Sequence, residues 1–243
     1  MKQLLFPIFR KETLPITLAL IFASVVSVAL VLIRMGLAKN ISYGLLIWNL
    51  FLAWMPLVFA MLARDQFERR TATARGQGQR HWKFLALSGA WLLFLPNAHY
   101  IFTDMIHLWI KFRGHFWIDL TLILLCAVTG LVLGFVSLYL MQSLVAKIYG
   151  RLASWLFVVI AAGLSSFGVY LGRFLRFNSW DVVFKPLKLF RGLDTWVDSR
   201  ATNVSEIGFM FAFSMFLFVA YVMLYALTHL PRHLMPVEME TKV

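Results

Sequence analysis

Residues 91–111, WLLFLPNAHYIFTDMIHLWIK, decide how the chain is read. An apolar run meets Pro96, and polar groups follow it at helical spacing. Proline has no backbone N–H and fixes its own φ, so a membrane helix arriving from the left is expected to kink or stop there, with a second helix starting just after. From that point Asn97, Tyr100, Asp104, His107 and Lys111 recur at steps of three and four, which places them on one stripe of a helix. Ile101, Met105, Leu108 and Phe112 fall on the other side.

Working outward, the setting of this stripe is apolar. The chain has 243 residues and 61% are hydrophobic, above the roughly 45–50% usual for soluble domains. Its mean hydropathy is +0.78. Windows of about 20 mostly apolar residues, enough for a hydrocarbon core of about 30 Å, fall at roughly 14–33, 43–63, 84–102, 118–140, 152–172 and 207–228. The runs are continuous rather than alternating, which selects helices over a barrel. The expected fold is therefore all-α: a polytopic membrane protein of six transmembrane helices forming a single membrane domain over 1–243. Its core is expected over 43–230, behind an N-terminal segment, 1–42, that carries the first span. A loose tail follows from 229 to 243.

The net charge is +12, from 23 Lys and Arg against 11 Asp and Glu. Nucleic acid is not needed to explain it, because basic residues flank membrane helices on the cytoplasmic side and meet anionic lipid there. The richest segment, from Arg64 to Lys83, adds Arg69, Arg70, Arg75 and Arg80. This assigns that loop, the 141–151 loop and both termini to the cytoplasm. Arg34 and Lys39 are then cations of a short loop on the opposite side. Residues 173–206 carry many cations too, with Asp181, Asp194, Asp198 and Glu206 nearby to balance them. Within that loop, Leu187, Phe190, Leu193, Trp196 and Val197 have helical spacing among charges, the pattern of an interfacial helix, and one or two such helices are expected on the extracytoplasmic face. The single cysteine, Cys126, falls in mid-span and reads as a small apolar residue.

Odd and even threading of six spans then gathers distant residues at one exit of the bilayer. The end of span three, the start of span four and the end of span five bring Asp104, His107, Asp119, Arg173, Arg176 and Asp181 to one side. Asn49, Asn97, Tyr100 and Asn178 are neutral hydrogen-bonders of the same region. Small residues crowd spans four and five, with Gly130 and Gly134 as one GxxxG and Gly168 and Gly172 as another, and these predict close helix approach. The tryptophans read mainly as interfacial belts.

Three stretches, IWNLFLAWMPL from Ile47, LFLPNAHYIFTDMIHL from Leu93 and LSSFGVYLGRFLRFNSWD from Leu164, resemble a family of bacterial integral membrane proteins known only as a domain of unknown function, DUF1361. The likeness covers about 43–230 and leaves the first span outside. The family has proline where this chain has His99. The resemblance implies a polytopic inner-membrane protein and names no activity, cofactor or catalytic residue.

Three uses of the polar end follow from its residue types. In the first, Asp104, Asp119 and Asp181 pair with Arg173 and Arg176 and staple the helix ends. In the second, the two arginines clamp an anionic small molecule or lipid head group, aided by Asn49, Asn97, Tyr100, Asn178 and Asp181. In the third, a hydrolase-like enzyme of the outer leaflet uses Asp104, His107 and Asp119 as acid, base or metal ligands. The sequence carries no HExxH, GxSxG, P-loop or dinucleotide fingerprint. Cofactor, metal and oligomeric state are left open, and lipids are the expected surroundings.

Overall fold

The structure, a computed structural model, describes residues 14–38, 43–72, 81–104, 116–175 and 204–229. They form six helices: α1 (Leu14–Ala38), α2 (Gly44–Ala72), α3 (His81–Thr103), α4 (Phe116–Tyr149), α5 (Arg151–Arg173) and α6 (Val204–Thr228). All six are long and apolar enough to cross a membrane. The expected six-span, all-helical architecture is thus observed. The interfacial helix expected around 187–197 lies outside the described residues.

α4 is the central post. It packs against α1, α2, α3 and α5, while α6 lies against α5. Successive helices run in opposite directions. In α5 and α6, Ser166 bonds the carbonyl of Met210 at 2.7 Å and Tyr170 bonds Glu206, so rising numbers on one helix meet falling numbers on the other. One end of the bundle therefore gathers the end of α1, the start of α2, the end of α3, the start of α4, the end of α5 and the start of α6. The start of α1 and the end of α6 share the other. The tight reversal from α4 to α5 is made by Gly150 with φ +88°, a backbone conformation that glycine alone adopts without strain.

Lipid tails are as apolar as leucine, so hiding apolar faces does not drive these helices together; close packing and polar contacts must. Both are present. The backbone carbonyl of Ala98 lies 2.7 Å, and Nε2 of His99 2.6 Å, from where a Cβ would sit on Gly130 and Gly134 respectively. The ring of Pro96 fills the space beside Gly168. Gly130 and Gly134 of α4 and Gly168 of α5 are the seats of the α3 segment Pro96–Ile101. Interhelical hydrogen bonds add to this: Trp54 to Ser24 at 3.0 Å, Trp91 to Ser137 at 3.2 Å, and Tyr221 to Gln142. Each such bond contributes about 0.6 kcal/mol in a bilayer.

Three expectations are corrected. The third helix neither stops nor restarts at Pro96; it continues to Thr103 with the proline inside it. The missing N–H is tolerated because the ring docks against Gly168, so packing on α5 offsets the lost backbone bond. Arg34 is not a loop residue but part of α1. Much of the supposed loop from Arg64 to Lys83 and of that at 141–151 is helix too, since α2 reaches Ala72 and α4 reaches Tyr149. In α2 the charges pair one turn apart, Arg64 with Glu68 at 3.0 Å and Arg69 with Asp65 at 2.8 Å, which lets the helix run on through them.

Candidate functional site

Among the described residues, five acidic and basic side chains gather at the end of the bundle where α1, α3 and α5 finish. The first group is built on the last turn of α3. Asp104 is 6% exposed, and Nη1 of Arg173, from the end of α5, reaches its Oδ1 at 3.1 Å. Nδ2 of Asn49, from the start of α2, donates to Asp104 Oδ2 at 2.8 Å. Arg173 Nη2 donates to the carbonyl of Thr103 at 2.8 Å and Nη1 approaches the hydroxyl of Tyr100 at 3.5 Å. Its guanidinium carbon stands 5.7 Å from the centre of the Tyr100 ring, within cation–π range. Three helices meet at one carboxylate.

The second group is built on the first turn of α4. Asp119 is fully buried, and Arg34 of α1 grips it with two parallel bonds, Nε to Oδ1 at 2.7 Å and Nη2 to Oδ2 at 3.0 Å. Tyr43, just before α2, donates to Oδ1 at 2.9 Å. Burial, with the hydrogen bond to Asp119, pushes the Tyr43 hydroxyl up to about 12, so it remains a neutral donor. Its ring also lies 5.6 Å beneath Arg34. The pairing expected for Asp119 is corrected here: its cation among the described residues is Arg34, while Arg173 meets Asp104. The fifth charge is Glu206 at the start of α6, which accepts a bond from the buried Tyr170.

Of the residues singled out from the sequence, the structure brings together Asn49, Tyr100, Asp104 and Arg173, and sets Asp119 in its own cluster. Asn97 is half-buried on α3 one turn before Tyr100. His107, Arg176, Asn178 and Asp181 lie outside the described residues. Among the described residues no group of three metal-ligating side chains comes together.

Three residues escaped the sequence reading, Arg34, His99 and the Tyr43 that donates to Asp119. Arg34 looked like a loop cation because an apolar window ends at the first charge. His99 did not continue the polar stripe, yet it is 1% exposed in the core. Its Nδ1 lies 2.7 Å from Ser165 Oγ, and Nε2, facing Gly134, has no hydrogen-bond partner among the described residues. The arrangement with fewest penalties places the proton on Nδ1, donating to Ser165, which leaves Nε2 as an unprotonated lone pair against Gly134. The signal that could have found it is the glycine pattern of α4, which marks where a bulky group must dock.

A family described as "Protein of unknown function (DUF1361)" matches residues 48–223, well over half of the chain. Comparison with curated proteins and with solved structures found no match.

Proposed function

Because the chain belongs to the DUF1361 family, whose function is unknown, its geometry has to supply a reading, and we propose that the charged end is a structural ion-pair network holding a multi-pass helical unit together. The supporting observation is that each of two buried carboxylates meets a cation from another helix and a neutral donor from a third. An ionised group at membrane depth needs such a partner, and here each cation comes from a different helix than its carboxylate. Asp104→Asn and Arg173→Ala are expected to lower unfolding free energy by about 1–3 kcal/mol. The readout is denaturation of purified protein in bicelles, with lipid and metal analysis of the same samples. Unchanged stability in both variants would sink the reading.

A second reading has its own support. Arg173 reaches Asp104 through Nη1 at 3.1 Å, a longer contact than the two parallel bonds of 2.7 and 3.0 Å by which Arg34 holds Asp119. The longer contact is the weaker of the two. A carboxylate or phosphate from an anionic small molecule or lipid head group would take the place of Asp104 on Arg173, with Asn49, Asn97 and Tyr100 as neutral donors and Arg176, Asn178 and Asp181 supplied by the family motif. An anionic ligand that co-purifies with wild type and is lost from folded Arg173→Ala favours it. The hydrolase-like alternative would rest on Asp104 and His107, since Asp119 is already committed to Arg34 and Tyr43. Stoichiometric metal in wild type, lost in Asp104→Asn, favours that instead.

The surroundings belong to the same proposal: the inner membrane of a bacterium, with both termini cytoplasmic and the Asp104 end outside. The basic ends of α2 and α4 support it. Cys126 is buried, so introduced thiols report alone. Ser205→Cys is expected to react with an impermeant maleimide in intact cells and Lys147→Cys only after permeabilisation; the opposite pattern inverts the topology.

A further inference from the structure

Three contacts close α3 onto its neighbours, and one of them is an imidazole. The ring of Pro96 fills the space beside Gly168, the carbonyl of Ala98 covers Gly130, and His99 covers Gly134. Its Nε2 and Cδ2 lie 2.6 and 3.1 Å from where a Cβ would sit on that glycine. Gly134 stands near the middle of α4. A leucine would pack there without a polar cost; the histidine brings a nitrogen with no hydrogen-bond partner among the described residues. An ionisable side chain at such depth is expensive and marks a function where it persists.

The surroundings of the ring are neutral. Nδ1 meets Ser165 Oγ at 2.7 Å, and the Phe135 ring stands 5.5 Å away. The titratable groups of the helices around it are engaged elsewhere: Tyr100 and Asp104 of α3 with Arg173, Tyr170 of α5 with Glu206, and Tyr221 of α6 with Gln142. Tyr139 of α4 is five residues beyond Gly134, about 7.5 Å along the helix. An imidazolium donates through both nitrogens. Ser165 can accept one bond and the glycine notch offers nothing to the other, so a charged ring and the closed seam exclude each other. Pro96 supplies the hinge. It gives no N–H to the carbonyl of Leu92, so α3 bends there most readily. Tyr100, Thr103 and Asp104 ride on the turns beyond.

We propose that His99 is an acid-sensitive latch: the unprotonated ring holds residues 97–104 against α4, and uptake of one proton at Nε2, from water at the Asp104 end, releases them. The contacts of Arg173 with Tyr100, Thr103 and Asp104 change with the release. The latch lies in the core and stands whichever reading of the Arg173 end holds.

The chain carries its own reporter. Cys126, the single cysteine, is buried. It precedes Gly130 and Gly134 by four and eight residues, on the ridge of α4 that α3 covers. Release uncovers its thiol. The full chain in bicelles is treated with a dipyridyl disulfide, which reacts with thiols in acid as well as in alkali. Labelling of Cys126 is compared between wild type and His99→Phe at one pH at a time, so that the thiol's own ionisation cancels. At about pH 8 both are expected to label equally slowly. At about pH 5.5, one unit below the ordinary imidazole value of about 6.5, wild type is expected to label about tenfold faster, the response of a single proton. Should His99→Phe not fold, the rate of native wild type is divided by that of denatured wild type, whose thiol is uncovered at every pH. That ratio is expected to rise about tenfold over the same range. Equal rates for the two proteins at about pH 5.5, whether both slow or both accelerated, or an unchanged native-to-denatured ratio, would each overturn the proposal.

Discussion

Asp119→Ala is expected to remove about 3–5 kcal/mol of stability, the usual penalty when one partner of a buried ion pair is deleted. The carboxylate is fully buried and the Arg34 side chain is 12% exposed, so the abandoned guanidinium has little access to water. Tyr43 loses its acceptor in the same stroke. Replacing the whole cluster by apolar groups of similar size, Arg34→Met with Tyr43→Phe and Asp119→Leu, is expected to recover most of the loss, because no charge is then left to solvate. Unfolding free energies measured by denaturant titration in bicelles separate the two. A single variant within about 1 kcal/mol of wild type, the scale of an exposed pair, would mean that Asp119 is not the buried anion described.

The second large effect is steric. A Cβ on residue 168 would overlap Cγ of Pro96 and lie 2.7 Å from its Cβ, so Gly168→Ala must push α3 and α5 apart. Overpacking of this kind costs about 1–3 kcal/mol. Gly89, also inside a helix, has nothing within 4 Å of its missing Cβ. Gly89→Ala should therefore gain about 0.5–1 kcal/mol from reduced backbone freedom in the unfolded chain. The same chemical change thus has opposite signs at the two positions, and thermal denaturation in one detergent is enough to compare them. Stabilisation by both would contradict the close α3–α5 approach. Pro96→Ala rescues Gly168→Ala only in part, since the Cβ of residue 96 remains.

The six spans were legible because each must be continuous and apolar to lie in lipid, and threading parity then fixed which ends meet. That logic placed Asn49, Tyr100, Asp104 and Arg173 at one level. It could not choose partners. Asp119 was matched with the nearest known arginines, whereas its real cation, Arg34, lies just past the apolar window of the first span; a charge neutralised inside the bundle does not end a helix as an unpaired one would. Pro96 misled for a related reason, since the local rule about proline says nothing of a glycine 72 positions later that makes room for the ring. His99 was hidden because its place depends on Gly134 and Ser165, two contacts that no local period reports.

Arg34 and Asp119 are separated by 85 residues of chain, and the family likeness begins at residue 48, after the arginine. At a synthesis rate of roughly 5–20 residues per second, the cation emerges some 4–17 s before its anion. During that interval the guanidinium must wait at the head-group boundary, where its long side chain can reach water. Arrival of the fourth span is then the event that lets the first settle to its final depth, so the order of emergence from the ribosome is written into the electrostatics of the finished bundle.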